Sequence, residues 1–340
     1  MNDRRRPRRI VYDGLGLGAV LALSLCLLGG CVTVQPFGGR DNTLHETTLD
    51  GEGQAKVLWL PISGFISDTP SSGAFGLVQR PSTLAMVDRA LDKAADDDTV
   101  KAVVLRINSP GGTVSAADEI YARVMRYHEQ TGVPVVASLA GVATSGGYYV
   151  AMAADQVIAQ PTTITGSIGV LILGVNAAGL MDKLGLTDQT VTSAEHKDIM
   201  SPLRPPQADE HAIVQSVVDS LYRRFVDVVR TARPDLDTDQ LEMITDGRIF
   251  AAEDARRLGL VDRIGHLHDV IALARSRAGD DDARIVRYYQ GNSAPATLVA
   301  DSRVGDGRLA VSAAGIPIDM STATEATPEP LYLWQPGLAR

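Results

Sequence analysis

Ser145 has the sequence surroundings of a nucleophile. It precedes Gly146 and Gly147, and the apolar run YYVAMAAD that follows predicts a helix. A helix N-terminus leaves backbone N–H groups unpaired and carries partial positive charge. A serine at this junction can attack a carbonyl carbon while neighbouring N–H groups hold the oxyanion that forms. Taken alone, the pattern is more often an ordinary Ser N-cap followed by a glycine turn.

A nucleophilic serine needs a base, and the segment HKDIMSP offers His196 and Lys197. A histidine would form a Ser-His-Asp triad, oriented by Asp198 or Asp155. A lysine serves only when deprotonated, which burial in an apolar site promotes. The residue types alone leave both alternatives open.

A second glycine pair, in the segment NSPGG, follows another apolar run. Gly111 and Gly112 can turn their N–H groups outward, because glycine tolerates backbone conformations that other residues avoid. One donor from this loop and one from Gly146 would make an oxyanion hole. The alternative is a simple Pro-Gly turn leading into a helix.

The elements that must position these loops alternate along the chain. Buried strands are predicted at 56–64, 100–107 and 134–141, with amphipathic helices at 81–97 and 115–130 between them. This order predicts an α/β fold with a mostly parallel sheet and right-handed crossovers. Sites in such sheets form at the carboxyl ends of the strands, so both glycine loops should share one edge.

Further along, the pattern predicts a strand at 188–195 and a long helix at 206–232. It then predicts strand, helix and strand within 246–265, a helix at 268–278 and a strand at 283–289.

Four separated segments together resemble the bacterial signal peptide peptidase A family of serine peptidases. GVATSGGYYVAMAADQVIAQPTTITGSIGV is similar to its nucleophile region, HKDIMSP to its lysine segment, INSPGG to its oxyanion loop and GRIFAAEDARRLGLVDRIG to its C-terminal motif. They occur in the family's order within residues 55–275, and the spacing fits its short, single-unit members.

The resemblance implies a Ser-Lys dyad, with Ser145 as nucleophile, Lys197 as general base and Ser167 orienting the lysine amine. It places the oxyanion hole at the N–H groups of Gly112 and Gly146, and it makes His196 a neighbour of the base. It also implies a fold of layered βαβ units like those of the Clp protease proteolytic subunit and the crotonases. No cofactor and no metal are expected.

The same resemblance implies homo-oligomeric rings in which the lysine completes a site across a subunit boundary. The implied substrates are signal peptide remnants and misfolded exported chains. Two other functions remain open on this fold: a crotonase-like acyl-transfer enzyme, which does not need Ser145 paired with Lys197, and a non-catalytic scaffold.

The N-terminus predicts export. Five arginines precede the apolar run of residues 14–30, and Leu28-Gly29-Gly30-Cys31 resembles a lipobox whose Cys31 is lipidated. The alternative is an uncleaved signal anchor. Either would place the later residues outside the cytoplasm of a bacterial cell envelope, tethered to a membrane. The expected division is an export segment (1–30), a linker (31–54), a peptidase domain (55–292) and a flexible tail (293–340).

Composition excludes two other classes of function. Cys26 and Cys31 are the only cysteines, so the body of the protein has no thiol for catalysis or metal binding. The net charge is −9 although the N-terminal residues are basic, so the body is acidic and is not expected to bind nucleic acid.

Overall fold

A computed structural model describes residues 43–72, 79–291, 294–299, 312–313, 316–317 and 330–334. The expected export segment, with Cys31, lies outside these residues, as does most of the expected tail. In the part of the chain that is described, no helix combines the length and the apolar character needed to cross a bilayer.

The described strands, in chain order, are β1 (His45–Asp50), β2 (Lys56–Ile66), β3 (Ser71–Ser72), β4 (Gln79–Arg80), β5 (Val100–Thr113), β6 (Val135–Thr144), β7 (Gln156–Ala159), β8 (Ile164–Gly166), β9 (Leu171–Ile172), β10 (Ile249–Ala251), β11 (Arg263–Ile264), β12 (Arg284–Tyr289), β13 (Ser312–Ala313), β14 (Ile316–Pro317) and β15 (Pro330–Leu333).

The described helices are α1 (Thr83–Ala95), α2 (Val114–Thr131), α3 (Gly146–Ala151), α4 (Ala178–Leu184), α5 (Glu210–Ala232), α6 (Thr238–Ile244), α7 (Ala252–Arg257) and α8 (Leu267–Ala278).

One large sheet organises the described residues. Its main path runs β1-β12-β2-β5-β6-β7-β11, with β8, β9, β10 and β15 attached to it. Neighbouring strands on the path are parallel, except for β1 with β12. Helices α1, α2 and α3 connect successive parallel strands from β2 to β7. The predicted α/β class of layered βαβ units with a mostly parallel sheet is therefore confirmed.

The core forms because strands and helices present apolar residues with matching periods. Residues 57–60 of β2 are buried without interruption, as expected for a strand covered on both faces. Helix α1 buries Val87, Ala90, Leu91 and Ala94, which form a single stripe at helical spacing. Ser82 caps this helix by accepting a hydrogen bond from the Ala85 N–H.

Three intervals differ from the sequence prediction. The expected linker contains β1, because the exposed edge of β12 offers it an antiparallel partner. Residues 188–195 form no strand, because no neighbouring strand pairs with them, and the Val191 side chain is 95% exposed. The expected flexible tail contains β15, which pairs antiparallel with both β5 and β9.

Candidate active site

Ser145 lies between β6 and α3 in a backbone conformation that is uncommon for a residue with a side chain. Its φ is 53° and its ψ is −118°. Its N–H donates to the Gly166 carbonyl at 2.8 Å, and its own carbonyl accepts from the Tyr149 N–H at 2.8 Å. Strain of this kind persists only where the surroundings enforce it, and it concentrates at functional sites.

The Ser145 hydroxyl is buried and has no hydrogen-bond partner among the described residues. The residue is 1% exposed, and its Oγ makes no capping bond to α3. The ordinary N-cap interpretation of this serine is therefore wrong. Leaving a buried hydroxyl unpaired costs about 1–3 kcal/mol, so an Oγ without a partner among the described residues is unusual for a folded protein.

The two predicted oxyanion donors, Gly112 and Gly146, come together at the carboxyl edge of the sheet. A Cβ atom added to Gly146 would lie 3.2 Å from the Gly112 nitrogen. Ser109 fixes the loop that carries Gly112: its Oγ donates to the Gly64 carbonyl at 2.6 Å and accepts from the Gly111 N–H at 3.0 Å. These hydrogen bonds hold the loop of Gly112 in the position where it approaches Gly146.

Ser167 emerges beside Ser145 because of strand register. Parallel strands β6 and β8 pair Thr144 with Gly166, so the next residue of each strand leaves the sheet at the same level. Ser167 also has a positive φ, 51°, and is 9% exposed. Its N–H donates to the Arg248 carbonyl at 2.7 Å.

Neither candidate base contacts Ser145 within this chain. The Ser145 Oγ has no partner, and Lys197 is exposed, with no hydrogen bond or ion pair to its ammonium from any described residue. His196 lies with its Nε2 3.6 Å from Asp209 Oδ2, and its side chain is 41% exposed. The structure brings together Ser145, Ser167, Gly112 and Gly146, and neither candidate base makes a hydrogen bond to the Ser145 hydroxyl.

Lys197 belongs to an extended arm, which we define as residues 173–209. All of these residues are described, and none of them is buried. The arm folds back on itself through Asn176, whose Nδ2 donates to the Arg204 carbonyl at 2.6 Å, and through Ala177, whose N–H donates to the Pro202 carbonyl at 2.7 Å. Several of its large apolar side chains are exposed: Leu173, Val175, Leu180, Leu184, Leu186, Val191 and Leu203.

A charged cluster at Arg204 fixes the turn next to Lys197. The guanidinium binds Asp198 through two hydrogen bonds of 2.7 and 2.8 Å and also pairs with Glu210 at the start of α5. Hydrogen bonds from Arg204 hold the pKa of both carboxyls below their ordinary values. The cluster thus ties the residue after Lys197 to the first turn of a long helix.

Strand β15 lies beside the loop that carries Gly112. It lies between β5 and β9, with Tyr332 opposite Gly112 and Leu331 opposite Leu171. The Trp334 N–H donates to the Pro110 carbonyl at 2.8 Å. A segment more than 200 residues away in sequence from β5 therefore lies against the loop of the predicted oxyanion hole.

Sequence reasoning missed two contributors to this site. The apolar run at 331–334 signals a buried segment, but its partner is remote in sequence. Arg204 gives no signal beyond a charge placed six residues from both Asp198 and Glu210, and no helix spans that spacing.

The assembled part of the site has the features of an acyl-transfer centre. Ser145 has a strained backbone and a buried hydroxyl at the N-terminus of α3. The glycines Gly112 and Gly146 lie close to each other beside it, and Ser167 is its neighbour on the adjacent strand. Such an arrangement stabilises the charge that develops on a carbonyl oxygen under attack.

Comparisons with known proteins agree with this chemistry. Residues 128–280 match the family model described as Peptidase family S49, and residues 86–165 match the model described as Clp protease. A protein of Enterococcus faecium named as a signal peptide peptidase SppA is 33% identical over 301 residues, covering 88% of this chain and 86% of that protein.

Two further similarities cover less of the chain. Protease 4 of Haemophilus influenzae is 33% identical over 240 residues, which are 68% of this chain and 38% of that protein. The solved structure of a membrane-bound stomatin-specific protease aligns with a TM-score of 0.41 at 18% identity, covering 65% of this chain and 84% of that one.

Proposed function

This chain belongs to peptidase family S49 and is a serine peptidase, and we propose that it cleaves peptide bonds through an acyl-enzyme, with Ser145 as nucleophile and Lys197 as general base. One observation carries the assignment of the nucleophile. The Ser145 Oγ is buried and unpartnered, on a strained backbone, at the N-terminus of α3. Storing such a group is unfavourable for folding but favourable for attack on a bound carbonyl.

In the proposed mechanism, the Ser145 Oγ bonds to the peptide carbonyl carbon as its proton passes to neutral Lys197. The N–H groups of Gly112 and Gly146 hold the oxyanion. Collapse breaks the C–N bond, and the Lys197 ammonium returns the proton to the leaving amine. Water then attacks the acyl-enzyme and gives a proton to Lys197. Release of the carboxylic acid restores the Ser145 hydroxyl. Ser167, beside Ser145, would accept or donate a hydrogen bond that orients the lysine amine.

We infer that Lys197 reaches Ser145 in a homo-oligomer, from the arm of a neighbouring copy. The arm buries none of its own residues, and its apolar side chains need a covering surface. Among the described residues of one chain, no base contacts the Ser145 hydroxyl, whereas the arm carries Lys197. Assembly would therefore supply apolar burial for the arm and a proton acceptor for the serine together.

The proposed substrates are signal peptide remnants or misfolded exported chains, in keeping with the name of the Enterococcus faecium relative. The basic and apolar N-terminal pattern, with Cys31 at the lipobox-like site, supports a membrane-tethered protein of the bacterial cell envelope. An apolar binding groove would suit such chains, because burial of apolar side chains supplies affinity.

The test is peptidase activity on an apolar fluorogenic peptide for the chain without residues 1–40 and its variants. Ser145→Ala and Lys197→Ala should each lose about 10³-fold or more, because nucleophile and base act as a unit. His196→Ala should stay active. Activity that survives Ser145→Ala would remove the nucleophile assignment. Loss in His196→Ala with Lys197→Ala still active would replace the dyad with a histidine triad.

Mixing the two inactive variants tests assembly across subunits. Ser145→Ala supplies an intact Lys197, and Lys197→Ala supplies an intact Ser145. If the dyad forms between copies, unfolding and co-refolding the mixture should recover part of the activity. A dyad within one chain predicts no recovery at any mixing ratio.

A further inference from the structure

The Asp118 carboxylate connects α3 to α5. Asp118 lies on α2, and its Oδ1 accepts a hydrogen bond from the Tyr149 hydroxyl of α3. The same oxygen accepts hydrogen bonds from Nη2 and Nε of Arg224 on α5, at 2.9 and 3.2 Å. One oxygen atom thus contacts both the helix that follows Ser145 and the helix that follows the arm. The mechanism proposed above does not use this carboxylate.

Tyr149 is the fixed end of this connection. Its side chain is fully buried, and Phe225 and Tyr121 contact its ring edge-on at centroid distances of 4.9 and 5.5 Å. Its N–H donates to the Ser145 carbonyl at 2.8 Å, so one helical turn links it to the proposed nucleophile. Burial and the neighbouring Asp118 carboxylate raise the pKa of the Tyr149 hydroxyl, so this group remains a proton donor at neutral pH.

Helix α5 is anchored over only part of its length. Three residues of its C-terminal half are buried in the core: Phe225, Val228 and Val229. No residue from 211 to 224 is buried, so Arg224 lies where the helix leaves the core. The Tyr222 hydroxyl, which donates to the Thr245 carbonyl at 2.8 Å, is a second contact at this point.

The part of α5 outside the core transmits a change of angle to the arm. Arg224 and Glu210 lie about 21 Å apart along the helix axis, at 1.5 Å per residue. A tilt of about 5° at Arg224 would therefore move Glu210 by about 2 Å. Glu210 pairs with Arg204. Arg204 also binds Asp198, the residue that follows Lys197, so the displacement reaches the lysine turn.

We propose that Asp118 is a positioning residue, which fixes the direction of α5 relative to α3 and thereby the place that Lys197 reaches. The proposal rests on the proposed function, because it takes Ser145 and Lys197 as the two groups that must meet. Where Lys197 serves the serine of a neighbouring copy, Asp118 acts in the copy that supplies the lysine, since α5 and the arm belong to one chain.

Loss of the connection should affect the rate more than the stability. The Arg224 and Asp118 side chains are 51% and 39% exposed, so the pair adds little to the free energy of unfolding. Asp118→Asn and Arg224→Met should therefore keep the thermal unfolding midpoint near that of the parent protein. Each should lower kcat/KM by about 10- to 100-fold, mainly through kcat, because a misplaced base slows the reaction step. Arg224→Lys should recover part of this loss.

Arg230→Met is the matched control. Arg230 also lies on α5 and pairs with Asp227 at 2.7 Å, but both residues belong to that helix, so the pair connects α5 to no other element. Its removal should leave kcat unchanged. The double variant of Asp118→Asn and Arg224→Met should lose no more than the larger single loss, because both changes break one connection. Unchanged kcat in the two single variants, or additive losses, would overturn the proposal.

A distance measurement tests the direction of α5 without any need for activity. Cys26 and Cys31 are the only cysteines, so Cys26→Ser and Cys31→Ser free the full-length chain of native thiols. In detergent, nitroxide labels are then attached through His211→Cys at the start of α5 and Arg126→Cys on α2, both at exposed positions. Diluting the labelled chain with unlabelled chain restricts the measured distances to pairs within one copy.

The distance distribution should be narrow in the parent protein and in Arg230→Met. In Asp118→Asn and Arg224→Met it should broaden or shift by about 2 Å, the displacement expected for a tilt of about 5°. Circular dichroism of each labelled protein shows that it is folded. A distribution that is the same in all four proteins would mean that Asp118 does not hold α5, and would overturn the proposal whatever the activities are.

Subunit mixing shows in which copy Asp118 acts. Asp118→Asn is placed either in the chain carrying Ser145→Ala, which supplies the lysine, or in the chain carrying Lys197→Ala. The loss should follow the lysine-supplying chain, and a loss confined to the serine-supplying chain would overturn the proposal. Failure of the proposed function has a different sign: activity would survive Ser145→Ala or Lys197→Ala, while the distances still report whether Asp118 holds α5.

Discussion

The proposed nucleophile and the proposed general base lie in two regions that are held in place in different ways. Every residue from 143 to 153, around Ser145, is buried, whereas none from 173 to 209, around Lys197, is. The first region belongs to a parallel sheet and a short helix with an apolar core on both sides. The second is an arm held by hydrogen bonds and by the charged cluster at Arg204.

The difference teaches which part of catalysis the monomer fold determines. Close packing fixes side chains within narrow limits, so Ser145, Gly146 and Gly112 are positioned as soon as the chain folds. An arm without buried residues has no comparable constraint, and polar contacts near the surface contribute little stability. The position of Ser145 is therefore set when the chain folds. The position of Lys197 depends on the surface that comes into contact with the arm.

The largest expected effect comes from truncating the same residue type in the two regions. Leu139, on the strand that leads to Ser145, is fully buried, whereas Leu180 on the arm is 60% exposed. Leu139→Ala should lower the free energy of unfolding by about 2–5 kcal/mol, since it leaves a cavity. Leu180→Ala should change it by less than about 0.5 kcal/mol in the monomer. Urea unfolding at low protein concentration measures both values.

A large loss of monomer stability in Leu180→Ala would contradict the claim that the arm is unpacked in the monomer. A loss that appears only at high protein concentration would support that claim, because it would show that another copy of the chain buries the arm. Sedimentation of both variants separates the two results.

Arg204→Met should lower activity with little change in the stability of the core. The variant removes the cation that joins Asp198 to Glu210, so the turn beside Lys197 loses its tie to α5. Misplacing a catalytic group by about 1 Å can lower the rate by about 10²-fold, so kcat/KM should fall by up to that factor. The thermal unfolding midpoint should stay near that of the parent protein.

Arg257→Met is the control, since its exposed pair with Asp254 lies outside the arm. Arg204→Lys should recover only part of the activity, because an ammonium does not reproduce the two-pronged bond to Asp198. Unchanged kcat/KM in Arg204→Met would show that the cluster does not position the lysine turn.

The contrast between locally and remotely determined structure also explains which parts of the fold and the site could be predicted from the sequence. Strand and helix periods are local, so they predicted the strands that lead to Gly112 and Ser145 and placed both loops on one edge. Ser167 came only from the resemblance to the peptidase family, and the register of β6 and β8 explains why it emerges beside Ser145. These features follow from patterns within about 70 residues of chain.

Contacts between remote segments were beyond that reasoning. The pairing of Tyr332 with Gly112 and of β1 with β12 depends on which sheet edges remain open, and no local pattern encodes this. The strand predicted at 188–195 failed for the converse reason. Its β-branched residues favour an extended chain, but no partner strand lies beside it.

A second charged cluster provides the counterpart of Arg204 within the sheet framework. The Lys56 ammonium lies 2.8 Å from Asp97 and 2.9 Å from Glu46. Burial alone would raise the pKa of Asp97, but hydrogen bonds from Lys56 and Thr99 outweigh this effect and lower the pKa to about 2. Because the pKa of Asp97 is lower in the folded than in the unfolded chain, its charge stabilises the fold fully at pH values above the ordinary carboxyl pKa. This contribution is lost as the pH falls towards 2.

Asp97→Asn should therefore lower the free energy of unfolding at neutral pH by about 1–2 kcal/mol and flatten its decline between pH 4 and pH 2. Peptidase activity should not change. Asp98→Asn, at the exposed neighbouring carboxylate, is the control. If the free energy of unfolding fell with pH in the same way in both variants, the pair of Lys56 and Asp97 would not be the cause. Loss of peptidase activity in Asp97→Asn would show that this pair affects the site as well as the stability of the sheet.

The smallest effect should be a local loosening of the arm in acid. Hydrogen bonds from Arg204 lower the pKa of Asp198 and Glu210, so both stay charged and hold the turn until the pH falls below the ordinary carboxyl range. Between pH 4 and pH 2, pepsin should cut within residues 185–209 increasingly fast relative to an unstructured reference peptide, while circular dichroism still reports a folded core. In Arg204→Met, cleavage relative to that peptide should already be fast at pH 4 and change little with further acidification. Arm cleavage that begins only when the core unfolds would mean that the two regions share one folding unit. Cleavage that precedes unfolding would show that the segment carrying Lys197 opens independently of the buried Ser145.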